Sequence, residues 1–127
     1  MTFPPHPSFS LTATVDAGTG TAHLRITGDL DYETGDELVH RATQFLDAHP
    51  DLHALRLDCA HLGFCDSSGL SALLMIHRTT AAGNVVLHLD DPPPFLERIL
   101  TTTGVRGLFP PAPASRRAGQ SPPASAD

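Results

Sequence analysis

The chain has 127 residues, 14 acidic side chains against 8 basic ones, and a formal net charge of -6. This length suits one domain, and the acidic balance disfavours a nucleic-acid partner because nucleic acids are held through their phosphates by basic side chains. No apolar run approaches the ~20 residues that cross a bilayer, so no membrane insertion is expected. The N-terminus lacks the features of a secretion signal, which makes the cytoplasm the expected location.

Alternating apolar residues predict a β-hairpin near the N-terminus. The alternation runs from Phe9 to Val15, stops at a glycine-containing turn over residues 16–21, and resumes from Ala22 to Ile26. After a break at residues 28–31, apolar residues recur at helical spacing. They predict a helix over residues 33–48 that ends before a proline.

The second half of the chain predicts alternating strands and helices. A strand is expected over residues 52–59, a loop over 62–66, a helix from residue 70, a strand over 85–89 and a last helix around 95–100. This order predicts one α/β domain over residues 9–109, with a mixed, mostly parallel sheet, an N-terminal hairpin and helices packed against the sheet. The Pro-rich residues 1–8 and the Pro/Ala/Ser-rich residues 110–127 are predicted to be disordered.

Neither metal nor catalytic chemistry is predicted. Cys59 and Cys65 are six residues apart without a second pair of ligands, so both are interpreted as reduced and structural. The histidines are scattered without a recognisable site spacing, and no serine lies in the G-x-S-x-G turn of a hydrolase. We therefore expect a binding protein that needs no cofactor.

The most informative segment reads Asp66-Ser67-Ser68-Gly69 and lies where a loop turns into a helix. Aspartate and serine are common N-cap residues, so a simple helix cap explains part of this pattern. A serine hydroxyl at such a position also lies near the positive end of the helix dipole, where a phosphoryl group is tolerated. The segment therefore predicts either a cap alone or a cap that carries a phosphorylation site.

Three segments together resemble the STAS domain of bacterial anti-sigma factor antagonists. Residues 28–34 resemble the signature G-[ED]-L-D-x-x-T, and residues 64–73 resemble [FY]-x-D-S-[ST]-G-L-x-x-L. Residues 103–109 resemble the ending T-G-[VL]-x-x-[LF]-F. The resemblance covers roughly residues 9–109, in the expected order of elements.

The resemblance implies a phosphorylation switch. Ser67 matches the serine that accepts phosphate from a kinase that is also the anti-sigma factor, and Ser68 matches its usually unmodified neighbour. The unphosphorylated antagonist binds the anti-sigma factor and frees the sigma factor, and a serine phosphatase resets the phosphorylated form. The residues expected to bind the partner are Asp29, Asp31, Asp66, Ser67, Ser68 and Gly69.

Two alternatives stay open. Asp29 and Asp31 could simply solvate a strand-to-helix turn. The same fold also serves as a scaffold in stressosomes and as a subunit of ABC-type lipid transporters, since a fold does not fix a function.

Overall fold

The structure is a computed structural model that describes residues 9–111. Its strands and helices are, in chain order, β1 (Ser10–Asp16), β2 (Thr21–Leu30), α1 (Tyr32–Ala48), β3 (Ala54–Cys65), α2 (Ser67–Ala82), β4 (Val86–Asp90) and α3 (Pro94–Thr102), followed by a short 3-10 turn (Arg106–Leu108). The predicted disorder of residues 1–8 and 112–127 falls outside the described residues.

The four strands form one sheet in the order β1-β2-β3-β4. β1 and β2 form the antiparallel hairpin, whereas β2 pairs with β3 and β3 with β4 in parallel. Parallel neighbours need a crossover connection, and α1 and α2 provide it. The predicted fold class is thus confirmed, including the predominance of parallel pairing.

The hairpin has a turn within the predicted residues 16–21, and Asp16 stabilises it. The Asp16 carbonyl accepts the Gly20 amide at 3.0 Å, and its carboxylate accepts the Gly18 amide at 3.0 Å. Gly20 adopts a φ of 68° and lies directly against the ring of His53, so a side chain at this position would be both strained and blocked.

Two strands are longer than the sequence pattern predicted. The predicted break at residues 28–31 is wrong in part, because β2 continues to Leu30, and the predicted loop at 62–66 is wrong because β3 continues to Cys65. Two register shifts between β2 and β3 each place an extra residue in β3. Buried residues of β3 alternate up to Cys59 and are then three apart, at Leu62 and Cys65, so the bulges disguise the strand.

One hydrophobic core lies between the sheet and the helices. Paired residues such as Leu24 and Leu57 point to the same face and are fully buried there, with Leu38 of α1 and Leu73 of α2 packed against them. Burial of this apolar face is the main stabilising contribution, at about 25 cal/mol per Å² of apolar surface removed from water.

The C-terminal end of the domain closes against α2 and β4. Phe109 is buried and meets His77 of α2 edge to face, with the ring centroids 5.8 Å apart. The buried His88 ring donates from Nδ1 to the Pro110 carbonyl at 2.9 Å, since a carbonyl can only accept. Contact with the domain therefore extends one residue past the predicted boundary at 109.

Within residues 9–111, no helix is long and apolar enough to cross a membrane. The same residues contain no group of three or more His, Cys, Asp or Glu side chains that could hold a metal ion.

Candidate functional site

The first helix begins at a closed capping arrangement. Asp31 is the N-cap of α1, and its carboxylate oxygen Oδ1 accepts the Thr34 amide at 3.1 Å. The Thr34 hydroxyl in turn accepts the Asp31 amide at 2.8 Å, which completes a capping box. Two amides that the first turn leaves without helical partners are satisfied in this way.

The second helix begins with the same type of cap but without the reciprocal side chain. Asp66 is the N-cap of α2, and its carboxylate accepts the Gly69 amide at 2.9 Å. Ser67 follows as the first helical residue and is exposed. Its hydroxyl makes no side-chain hydrogen bond within residues 9–111, whereas in the first turn of α1 the Thr34 hydroxyl is hydrogen-bonded to the cap.

The two helix starts meet through Leu30. Its carbonyl, at the end of β2, accepts the Asp66 amide at 3.3 Å. A Cβ at Gly69 would overlap this same carbonyl and would lie 2.9 Å from the Cys65 sulfur. Glycine is therefore required at this position, because the backbone of β2 passes where a side chain would lie.

The helices themselves also approach closely at their first turns. A Cβ at Gly35 of α1 would lie 3.1 Å from the Cβ of Ala72 and 3.5 Å from the Ser68 carbonyl. Small residues on both helices thus allow their positive N-terminal ends to lie side by side at the carboxyl ends of β2 and β3, which we call this edge of the sheet.

The structure brings all six predicted site residues to this edge. Asp29 is exposed and pairs with Phe64 of the adjoining strand, while Asp31, Asp66 and Ser68 are half-buried. Gly69 is buried, so its contribution is packing and hydrogen bonding within α2. Asp31 and Asp66 are the caps of α1 and α2.

Sequence reasoning missed three exposed apolar side chains around this edge. Tyr32 is 78% exposed at the start of α1, Phe64 is 48% exposed at the end of β3, and Met75 is 52% exposed on α2. Met75 follows Ser67 and Ser71 at spacings of four residues, so these three exposed residues form one stripe along α2. Gly63 and Phe64 are both exposed between the buried Leu62 and Cys65, so the broken alternation at the end of β3 places this aromatic side chain in solvent.

The two cysteines are buried, and their thiols are unreactive. Burial, with a smaller effect from Asp58, raises the pKa of Cys59 from 9.0 to about 12. Burial and the Asp66 carboxylate raise the pKa of Cys65 from 9.0 to about 11. Both thiols are therefore protonated at neutral pH and are poor nucleophiles.

Comparison with known families decides the class of the domain. A family model described as "Mlab, STAS domain" matches residues 13–110. The chain belongs to the STAS-domain family. The match begins within β1 and covers both capped helix starts and the buried Phe109, so it spans nearly all of the described fold and not one motif.

Solved structures agree on this STAS fold. The unphosphorylated anti-sigma factor antagonist SpoIIAA matches with a TM-score of 0.67 at 21% identity, over 84% of this chain and 89% of that one. An anti-sigma factor antagonist from Mycobacterium paratuberculosis matches with a TM-score of 0.60 at 25% identity, over 85% and 89%. A sulfate transporter family protein from Wolinella succinogenes matches with a TM-score of 0.62 at 18% identity, over 76% and 75%.

Proposed function

We propose that this STAS domain is an anti-sigma factor antagonist whose binding is switched by phosphorylation of Ser67. In the unphosphorylated state it binds an anti-sigma factor serine kinase, which releases the sigma factor. Phosphorylation by that kinase ends the binding, and a serine phosphatase restores it. The protein acts by binding, without catalysis of its own, in the cytoplasm.

The observation that carries this proposal is the state of the Ser67 hydroxyl. It is exposed, stands at the first position of α2 and has no side-chain hydrogen bond among the described residues. Asp66 already caps the helix through the Gly69 amide, so Ser67 is not needed as the cap. A modification of Ser67 therefore leaves the fold intact while it changes the surface.

The electrostatic surroundings explain how a phosphoryl group would act as a switch. It adds a charge of about -1.5 to -2 and three acceptor oxygens. The amino end of α2 stabilises this charge in the free protein. The Asp66 carboxylate next to it adds negative charge, so a partner surface that fits a neutral hydroxyl meets a strongly acidic one instead.

A docking face around Ser67 supplies the affinity. We define this face by the exposed residues Asp29, Tyr32, Phe64, Ser67, Ser71 and Met75. Exposed aromatic residues are enriched in interfaces and in their hot spots, because a partner can bury their large apolar surfaces. The mycobacterial antagonist, which is 25% identical over most of both chains, also supports the proposal. So does the similar structure of the Bacillus protein SpoIIAA in its phosphorylated form.

Substitution of the docking face tests this part of the proposal. Phe64→Ala and Tyr32→Ala should each weaken binding to the anti-sigma factor by ten-fold or more, about 1.4 kcal/mol, as expected of hot-spot side chains. Leu108→Ala is the matched control, since Leu108 is an exposed apolar residue outside the face. Equal losses in all three variants would contradict the assignment of the face.

A second candidate function is favoured by the name of the matched family. Its description, "Mlab, STAS domain", does not name an antagonist. This supports the alternative that the domain is a STAS interaction subunit of a larger assembly, such as a stressosome or an ABC-type lipid transporter. The docking face would then bind a constitutive partner, and Ser67 would be no more than the residue after a helix cap.

Affinity purification of the full chain from its own cells separates the two candidates. The proposal predicts a kinase-fold anti-sigma factor bound to the wild type and to Ser67→Ala, but lost from Ser67→Asp. A transporter ATPase bound equally to all three would establish the second candidate.

A further inference from the structure

Thr34 is one of the few polar residues buried in this domain, with an exposed fraction of 1%. It is the third residue of α1 and makes hydrogen bonds back to residues 29–31, where β2 ends and α1 begins; we call these residues the acidic turn. A buried hydroxyl is costly unless its hydrogen bonds are made, so its partners show what the residue is for.

The Thr34 hydroxyl connects three backbone and side-chain groups of the acidic turn. It accepts the Asp31 amide at 2.8 Å and donates to the Asp29 carbonyl at 2.8 Å. The Asp31 carboxylate lies 3.1 Å from the same hydroxyl. One side chain thus fixes the backbone on both sides of Leu30.

Leu30 links this hydrogen-bonded segment to the start of α2. Its carbonyl accepts the Asp66 amide, and the Gly69 backbone packs against the same carbonyl group. From the other side, Gly35, which follows Thr34 in α1, lies against the Ser68 carbonyl. The first turn of α2, which contains Ser67, is therefore held against the very segment that Thr34 organises.

We propose that Thr34 is a positioning residue that locks the acidic turn at residues 29–31 onto the start of α2. It sets where the exposed Asp29 carboxylate stands relative to the Ser67 hydroxyl. The consequence for the partner rests on the proposed function: the kinase meets the Asp29 carboxylate and the Ser67 hydroxyl in a fixed arrangement. The coupling itself is a property of the free protein.

Amide hydrogen exchange by NMR on the full chain tests the coupling without any partner. Thr34→Val keeps the shape of the side chain but removes the hydroxyl, and Thr34→Ser restores it. Thr80→Val is the matched control, because Thr80 is equally buried and donates its hydroxyl to the His77 carbonyl at 2.9 Å in the last turn of α2.

In Thr34→Val, exchange of the Asp66 and Gly69 amides should accelerate ten-fold or more relative to the amides of β1 and β2. Thr34→Ser and Thr80→Val should leave these two amides within about three-fold of the wild type. Unchanged exchange at Asp66 and Gly69 in Thr34→Val, or equal acceleration throughout the domain, would overturn the proposal.

The wild type offers an independent test should Thr34→Val fail to fold. If the turn and the start of α2 form one unit, the Asp31, Asp66 and Gly69 amides open together, with the same dependence of exchange on urea concentration. Distinct urea dependences would contradict the coupling. Because neither experiment contains a kinase, failure of the coupling and failure of the phosphorylation switch are separately visible.

Discussion

The two helices at the site start in the same way and finish their first turns differently. Both follow a parallel strand, and both are capped by an aspartate that accepts the amide three residues later. In α1 that third residue is Thr34, which returns a hydrogen bond to the cap. In α2 it is Gly69, which returns none and lets the backbone of β2 pass close by.

This difference separates a structural helix start from a functional one. The first turn of α1 is closed upon itself by the hydrogen bonds between Asp31 and Thr34, so loss of these hydrogen bonds should lower stability. The first turn of α2 has its cap and its packing provided by Asp66 and Gly69, which leaves the exposed Ser67 hydroxyl available for chemistry. The substitutions that follow test how far the two starts differ.

The glycines of the two first turns give the largest expected contrast. Gly69→Ala should lower the free energy of unfolding by about 2 kcal/mol, because the new methyl overlaps the Leu30 carbonyl and crowds the Cys65 sulfur. The methyl of Gly35→Ala would lie 3.1 Å from the Ala72 methyl and at an ordinary contact distance of 3.5 Å from the Ser68 carbonyl. Its crowding is roughly offset by the gain of about 1 kcal/mol in helix propensity, so we expect a change near zero. Urea unfolding of the two variants measures both; equal losses would refute the difference.

The caps give the next contrast. Asp31→Ala should cost about 1.5 kcal/mol and Asp66→Ala about 1 kcal/mol, since Asp31 also stabilises the Thr34 hydroxyl. Asp31→Asn should stay within about 0.5 kcal/mol of the wild type, because asparagine caps as well as aspartate, while it weakens recognition by the kinase. Stability lost in Asp31→Asn with phosphorylation intact would make Asp31 a structural residue only.

Alkaline pH probes the packing beneath the second helix start. The unfolded chain loses thiol protons above the ordinary pKa of 9.0, whereas the folded chain retains them until about 11 at Cys65 and about 12 at Cys59. The free energy of unfolding should therefore stay nearly constant up to about pH 8 and fall above it, by roughly 1.4 kcal/mol for each thiol at pH 10.

The chain suits this measurement because all eight of its basic residues are arginine, so no lysine titrates in the same range. Thermal unfolding from pH 7 to 10.5 would follow the loss, and Cys59→Ala should reduce the dependence by roughly half, since Cys65 still contributes. A rise in stability above pH 9, or the same slope in the variant, would contradict the burial of the thiols.

The smallest effect is expected from the C-terminus. Deletion of residues 112–127 should change the free energy of unfolding by less than about 0.5 kcal/mol, because it spares the Phe109 packing and the His88 to Pro110 hydrogen bond. A loss above about 1 kcal/mol would show that this segment packs on the domain.

The sequence predicted the elements whose periodicity is local and missed those set by pairing across the sheet. The hairpin was predicted from apolar residues two apart, and the three helices from apolar residues three to four apart. The ends of β2 and β3 did not, because bulges shift the buried positions to Leu62 and Cys65 and only the pairing of Asp29 with Phe64 reveals a strand there. The motifs contain Ser67, Asp31, Asp66 and Thr34, but the hydrogen bond from the Thr34 hydroxyl to the Asp29 carbonyl and the contact of Leu30 with the start of α2 depend on the fold and not on the spacing.

The most direct test of the account is the location of phosphate on the full chain recovered from its own cells. Mass spectrometry of wild type, Ser67→Ala and Ser68→Ala should find one phosphate, lost in Ser67→Ala and retained in Ser68→Ala, because Ser67 is exposed at the start of α2 whereas Ser68 is half-buried. Phosphate on Ser68 alone, or its persistence in Ser67→Ala, would contradict the account and leave Asp66 to Gly69 as a helix cap and nothing more.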